Sequence, residues 1–276
     1  MLKRGPQNHP VKAAIDLLLQ AYLDEKFGAT NTASSELVPD FMSLAVDNVK
    51  SLLLGGHDTT ASAIAYIIAL LSEPENKDAF ERVRMKHDSV FGPNPQEAAE
   101  KLMTDHPKLR NTLPLTTAAI KEAMRLFPPA LSSRTTTPGH PLRFVTFNGR
   151  TLPIAGQQIL ISHYDMGQRE DLWPEPPKFN LDRYSPGVPQ VKHAWRSFEK
   201  GPRGCAGLEL AKMEMRIVHV LLARELDVEL AFPDDAPRAP SGHGVAGGRG
   251  YQIIEFAAKP VGHMPMPVRR REKANI

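Results

Sequence analysis

From Leu44 to Leu71, apolar residues fall on nearly every face of a helix drawn through "VPDFMSLAVDNVKSLLLGGHDTTASAIAYIIALLSEPE". Pro39 suits the first turn of such a helix. A helix that is apolar all round belongs in the interior of a large protein. Gly55, Gly56, His57, Asp58, Thr59 and Thr60 interrupt the pattern at its middle. Adjacent glycines cost about 1 kcal/mol each in a helix interior, and buried polar groups cost more unless they are paired. A contact made by this stretch has to offset both costs.

Residues 11–27 and 39–126 read as helical. A break begins at Ser72, and Pro74 opens a helix that runs to about His87. "PNPQEAAEKLMTD" gives a short helix, and "LPLTTAAIKEAMRLFPPA" gives another, which Pro128 and Pro129 end. The pattern then changes. Residues 134–162 and 226–262 read as short strands and turns, and Asn148-Gly149 between two apolar runs marks a hairpin. The stretch from Asp165 to Ala194 is turn-rich, and a last long helix covers 206–225. The basic tail "PVRRREKANI" reads as a solvated, frayed end. The fold class expected is mainly α with small β-sheets, an α+β arrangement. No internal repeat is present.

Composition narrows the class. The 276 residues are enough to bury a sizeable core, and 41% hydrophobic with 24% charged residues is ordinary for a globular protein. Thirty-four basic against 31 acidic residues give a net charge of +3, too balanced to argue for nucleic acid as a partner. One cysteine excludes an internal disulfide and points to a reducing, intracellular compartment. No apolar run approaches the ~20 residues that span a bilayer, so no membrane anchor is expected in this chain.

That single cysteine sits in "SFEKGPRGCAGLELAKMEMR". Phe198, Gly201, Arg203, Cys205 and Gly207 form the pattern F-x-x-G-x-R-x-C-x-G. The glycines let backbone approach a flat partner and turn sharply. The start of a helix offers unpaired N–H groups and a positive dipole end, which favour a thiolate. Arg203 adds a cation suited to a carboxylate. These are the needs of a thiolate that binds a metal beside a held anion. The plainer alternative, an inert buried cysteine, is usual for a lone cysteine, but it leaves the other four positions unexplained.

The loop resembles the haem-binding signature of the cytochrome P-450 superfamily, the haem-thiolate monooxygenases. The resemblance implies Cys205 as the iron ligand, Arg203 as a haem propionate partner and Phe198 as a packing residue beside the thiolate. A thiolate on haem iron favours O–O cleavage. Gly204 and Ala206 stand where asparagine and a larger aliphatic residue are common in the family. Three further motifs follow the family's order. "GGHDTT" resembles its oxygen-binding segment, which implies that Gly55 and Gly56 let haem and dioxygen lie against the helix and that Asp58 and Thr59 deliver protons. The alternative is a helix kink with satisfied side chains, and His57 reads as structural. "EAMR" resembles the E-x-x-R motif. Glu122 and Arg125 lie three apart on one helical face, a spacing that elsewhere is usually a surface ion pair. "WPEPPKFNLDRY" resembles the segment that brings a third partner, which implies a buried triad of Glu122, Arg125 and Arg183. Asn180 and Leu181 depart from the usual residues there. Arg134 would be a second propionate partner, and Pro129–Ser133 would line the substrate side.

The resemblance covers about residues 35–265 and matches the C-terminal half of the family's fold. It implies one partial domain over 1–276: helices at 35–126, hairpins and an irregular stretch at 127–195, the cysteine loop and its helix at 196–225, a β segment at 226–265 and a basic tail at 266–276. The family's N-terminal helices and anchor are expected outside this chain, leaving the apolar central helix exposed or covered by a partner. The activity implied is insertion of one atom of dioxygen into a small apolar substrate, in fungal secondary metabolism. Haem b would be the cofactor, with electrons from NADPH through a reductase docking near Lys192, Arg196 and Lys200. In eukaryotes the family is usually bound to the endoplasmic reticulum. Two alternatives remain at this point: a haem-binding remnant without turnover, and a non-catalytic helical interaction protein.

Overall fold

The computed structural model describes residues 39–92, 94–104 and 112–271. The helix expected at 11–27 lies outside them. By their internal contacts the residues fall into two units, Met1–His57 and Asp58–Ile276.

Helix α1, Pro39–Ser72, runs the full length of the apolar pattern. Through His57 it belongs to the first unit. There Ala45 is buried, but Leu44, Val46, Leu52, Leu53 and Leu54 are exposed. The apolar character is therefore wetted on several faces, as the sequence pattern implies. In the second unit the same pattern is satisfied: Ala63, Tyr66, Ile67, Leu70 and Leu71 are all buried.

A 3-10 turn at Pro74–Asn76 leads into α2, Lys77–Phe91. Helix α3 spans Pro95–Thr104 and α4 spans Pro114–Leu126. Proline opens α4, and Pro128 and Pro129 follow its end, where the Phe127 N–H still donates to Ala123. A short α5, His163–Gly167, is capped by the Ser162 hydroxyl, and α6 spans Leu208–Glu225. The core gathers α1 beyond Thr60 with α2, α4 and α6, through Val83, Ala119, Ala123 and Met215. A second cluster of Phe91, Ala98, Leu102, Leu113 and Val220 packs α3 onto the same framework.

Four two-stranded antiparallel sheets complete the described residues. Strand β1, Ser132–Thr135, pairs with β4, Gln158–Ile161. Strands β2, Phe144–Phe147, and β3, Arg150–Pro153, form the expected hairpin. Its turn residues Asn148 and Gly149 have φ of 49° and 74°, the left-handed pair that such a tight turn requires. Strands β6, Gln252–Ile254, and β7, Ala258–Pro260, pair together. Strand β5, Leu226–Val228, pairs with β8, Val268–Arg270.

Strand β8 corrects the expectation of a frayed tail from residue 266. Its backbone is taken up by β5, and the Arg271 N–H donates to the Glu225 carbonyl at 2.8 Å. The basic side chains find carboxylates as well: Arg271 Nη2 lies 2.8 Å from Glu81. A charge run reads as solvated when its partners are distant in sequence, and here they are about 40 and 190 residues away. Residues 272–276 lie outside the described residues.

Two histidines sit in the helical core. His87 on α2 places Nε2 2.6 Å from the Thr116 hydroxyl of α4. His219 on α6 donates from Nδ1 to the Met215 carbonyl at 2.6 Å. Their other ring nitrogens are buried without a hydrogen-bond partner among the described residues. Burial, then a charge on His219, then Arg224, hold His87 down at about 3. Burial holds His219 down at about 4, against the bond to Met215. An unfolded histidine titrates near 6.5, so below that pH the unfolded chain binds protons that the folded chain refuses. The stability they protect is full above about 6.5 and is lost as pH falls toward 4. Between pH 7 and pH 5 each should remove about 2 kcal/mol of unfolding free energy. His163 and His243, also lowered chiefly by burial, act in the same sense. Urea unfolding at the two pH values should show the loss, and His219→Leu should reduce it by about 2 kcal/mol. Equal wild-type stability at pH 7 and pH 5 would contradict this account.

Candidate haem-thiolate site

The site rests on a buried ionic knot. Glu122 and Arg125 stand one turn apart on α4, and Glu122 is fully buried. Its carboxylate accepts from Arg125 Nε at 2.9 Å and Nη2 at 2.8 Å. It also accepts from Arg183 Nε at 2.9 Å, the Asn180 N–H at 3.1 Å and the Tyr184 hydroxyl at 3.3 Å. The triad expected from sequence is therefore assembled, with two further donors that sequence reasoning missed.

The guanidinium groups carry the knot outward. Arg125 donates to the carbonyls of Gly167 at 2.6 Å and Pro176 at 2.7 Å. Arg183 donates to the carbonyls of Pro174 and Glu175. Trp173 places its ring 5.4 Å from the Arg125 guanidinium and donates Nε1–H to the Met166 carbonyl at 3.1 Å. An irregular stretch without a sheet thus obtains its shape from two arginines. Gly167 is required for close approach, because a side chain there would collide with the Arg125 carbonyl oxygen.

The cysteine loop hangs from the same helix. Trp195 Nε1–H donates to the Lys121 carbonyl at 2.8 Å, and the Ser197 hydroxyl donates to the Met124 carbonyl at 2.9 Å. Phe198 packs against the core with its ring 6.0 Å from that of Trp195. The chain then turns through a 3-10 turn at Gly201–Arg203, where Gly201 has a φ of 76°. It closes on itself through a 2.9 Å bond from the Cys205 N–H to the Phe198 carbonyl. Gly207 caps α6. The Cys205 thiol is free and exposed, and Arg203 is exposed beside it in the chain.

Arg134 reaches this loop from β1. Its Nη2 lies 3.0 Å from the Glu199 carboxylate and its Nη1 donates to the Ser133 carbonyl at 2.8 Å. Arg134, Phe198, Gly201, Arg203, Cys205 and Gly207 therefore belong to one local structure. Asp58 and Thr59 are held elsewhere on α1, half-buried. Asp58 lies within electrostatic range of Lys259 on β7, which is held above its usual value first by its bond to Glu255. Nearby the Ser62 hydroxyl donates to the Ala258 carbonyl at 2.7 Å, and the Ala258 N–H donates to the Pro129 carbonyl at 2.8 Å. These bonds tie α1, β7 and the segment after α4 into one wall. A cavity of about 410 Å³ opens there, walled in part by Phe127, Leu131, Ile254, Phe256 and Ala258. Gly55 and Gly56 lie in the first unit, and an added side-chain carbon at either meets no described atom within 4 Å.

The donor set fits a metal that brings most of its own ligands. Among the described residues no group of three or more His, Cys, Asp or Glu could hold a bare ion. One exposed thiol on a glycine-rich turn, with Arg134 and Arg203 on hand for carboxylates, suits a planar macrocycle with a metal centre and acidic edges. Lys192 and Lys200 are exposed on the approach to the loop, whereas Arg196 is turned onto Glu199, with Nε 2.6 Å from the carboxylate. No helix among the described residues is long and apolar enough to cross a membrane.

Comparison with known proteins shows the family. The family model described as cytochrome P450 matches residues 7–249, and the chain belongs to that family. It is 29% identical over 261 residues to the cytochrome P450 monooxygenase polC of Polytolypa hystricis, covering 92% of this chain and 46% of that protein. It is 36% identical over 210 residues to the cytochrome P450 monooxygenase PC-23 of Penicillium crustosum, covering 74% of this chain and all of that protein. It is also 35% identical to the cytochrome P450 monooxygenase ptmG of Penicillium ochrochloron, covering 79% of this chain. The chain spans 46% of polC and 39% of ptmG.

Proposed function

We propose that this cytochrome P450 chain acts as a haem-thiolate monooxygenase. It would insert one atom of dioxygen into a small apolar substrate, within fungal secondary metabolism, drawing electrons from NADPH through a reductase. The observation that carries the reading is the exposed Cys205 thiol, presented by a loop that α4 and the Glu122 knot brace from behind. The names of the fungal relatives support it.

When bound, haem with a thiolate ligand supplies dioxygen activation. The chain's own residues divide the remaining work. Cys205 would hold the iron through its exposed thiol. Arg203 and Arg134 would hold carboxylates at the cofactor's edge, where charge-assisted hydrogen bonds are strongest. Phe198, packed against the core and Trp195, would be a packing residue beside the thiolate. Gly55 and Gly56, in the first unit, would let a flat group approach their own stretch of α1. The Asp58 carboxylate and Thr59 hydroxyl hold and pass on the proton that the chemistry consumes. The apolar wall of Phe127, Leu131, Ile254 and Phe256 suits an uncharged substrate. The exposed Lys192 and Lys200 suit an acidic reductase surface. An intracellular place follows from the same reading, the family in eukaryotes being usually bound to the endoplasmic reticulum.

The test is the carbon-monoxide difference spectrum of the chain reconstituted with haem and reduced. A thiolate-type, red-shifted Soret band is expected, and a spectrum matching free or histidine-bound haem would overturn the proposal. Product formation with NADPH, a fungal reductase and apolar substrates separates the monooxygenase from a haem-binding remnant. That remnant would give the band without the product.

A further inference from the structure

Glu199 sits inside the cysteine loop with a φ of 60°. This is the left-handed region, which glycine enters freely and a residue with a side chain enters at a cost. What offsets the cost is the side chain itself, only 5% exposed. One carboxylate oxygen accepts from Arg134 Nη2 at 3.0 Å. The other accepts from Arg196 Nε at 2.6 Å, from Arg196 Nη2, and from the Lys200 N–H at 3.2 Å. Ser132, whose hydroxyl lies 3.3 Å from His163 Nε2, also favours the ionised form of the same carboxylate. Burial works against its ionisation, but the Arg196 bond and charge, with Ser132 and His163, leave it below the usual carboxylate value.

Ser132 and Arg134 both lie on β1, whereas Glu199, Arg196 and Cys205 lie on the loop. The carboxylate therefore joins two separate segments. It is the sole acidic residue between Asp182 and Glu209, and no acidic residue stands between Glu122 and Asp165. Arg134 thus has no carboxylate within its own segment, and the loop supplies it. Two guanidinium groups against one carboxylate leave a net charge of +1 at this point, the sign that a further carboxylate requires. Arg134, 36% exposed, keeps part of its guanidinium open to one.

We propose that Glu199 is a positioning residue. Its buried carboxylate clasps the cysteine loop to β1 and fixes the direction in which Arg134 presents its remaining N–H groups to a carboxylate of the cofactor. The second half of this statement rests on the haem reading of the site. The first half does not.

Two measurements test it. Hydrogen exchange on the chain without added haem reads the clasp directly. In Glu199→Gln and Glu199→Gly the Cys205 N–H, bonded to Phe198 in the wild type, should exchange at least about tenfold faster, the loss expected for one charged hydrogen bond. Haem titration reads the aim of Arg134, using haem and its propionate dimethyl ester as paired ligands. Wild type should prefer haem over the ester, and both variants should lose most of that preference. A loop held only by backbone conformation would be rescued by Glu199→Gly, which fits the left-handed φ without strain, and would lower both affinities equally if it failed. Unchanged exchange in both variants overturns the clasp. An unchanged haem-over-ester preference overturns the aiming of Arg134. A wild-type chain that binds haem without the thiolate spectrum overturns the functional reading instead, and the exchange result still decides the clasp.

Discussion

Glu122→Gln is expected to lower the unfolding free energy by about 3–5 kcal/mol, the loss seen when one partner of a buried ion pair is removed. The substitution keeps the side-chain volume, so a cavity is not the cause. It removes the charge that Arg125, 1% exposed, and Arg183, 7% exposed, were folded around. It also replaces an acceptor with an amide NH₂ that faces guanidinium donors at 2.8–2.9 Å. Two buried cations then stand against carbonyl dipoles alone. Total stabilities of ordinary domains are about 5–15 kcal/mol, so such a loss is a large share. The measurement is the urea midpoint of wild type and variant at pH 7, with a constant slope showing that the same surface is exposed. Removing Arg183 as well, in Glu122→Gln/Arg183→Met, should cost less than the sum of the two single losses, because the second change removes a stranded charge. A Glu122→Gln loss under about 1 kcal/mol would show that the knot behaves as a surface ion pair.

That knot also shows where sequence reasoning reaches. The Glu122–Arg125 spacing is legible because helical geometry places residues three apart side by side. The third partner, Arg183, entered through a family resemblance. The Asn180 N–H and the carbonyls of Gly167, Pro174 and Pro176 carry no side-chain signature, so the donors and acceptors that complete the knot were not legible. The Asn148-Gly149 hairpin was legible for the opposite reason: its signal is local and conformational. Strand β8 was misread because its partner β5 lies about 40 residues earlier, and pairing at that distance depends on context rather than composition. Helix α1 was read correctly as one long apolar element, although its wetted and packed halves have the same pattern.

Within the cysteine loop, the role of Glu199 was not legible. An acid in a loop carries no spacing signal. The available clue was contrast, since Glu199 stands alone among Lys192, Arg196, Lys200 and Arg203. His87 and His219 offered no clue at all, because two histidines 132 positions apart are brought together only by the packing of α2 on α6.

Cys205→Ala should produce the opposite separation of effects from Glu122→Gln: complete loss of the thiolate-type carbon-monoxide spectrum with stability within about 0.5 kcal/mol of wild type. The structural argument is that Cys205 contributes its backbone to the loop and its side chain to the cofactor. Its N–H closes the turn onto the Phe198 carbonyl at 2.9 Å, and alanine keeps that bond. Its thiol is exposed, so truncation removes little packing. The supports of the loop, Trp195 on Lys121 and Ser197 on Met124, are untouched. The chain holds no second cysteine that could substitute. Any haem that still binds would therefore do so without a thiolate, through contacts such as Arg134 and Arg203, and would show a correspondingly blue-shifted band. Urea unfolding and the reduced carbon-monoxide spectrum, measured on the same preparation, check both halves. A surviving thiolate band would remove Cys205 from the site. A loss of several kcal/mol would mean instead that the sulfur is part of the packing, and the loop's glycines would then need a different explanation from the approach of a flat cofactor.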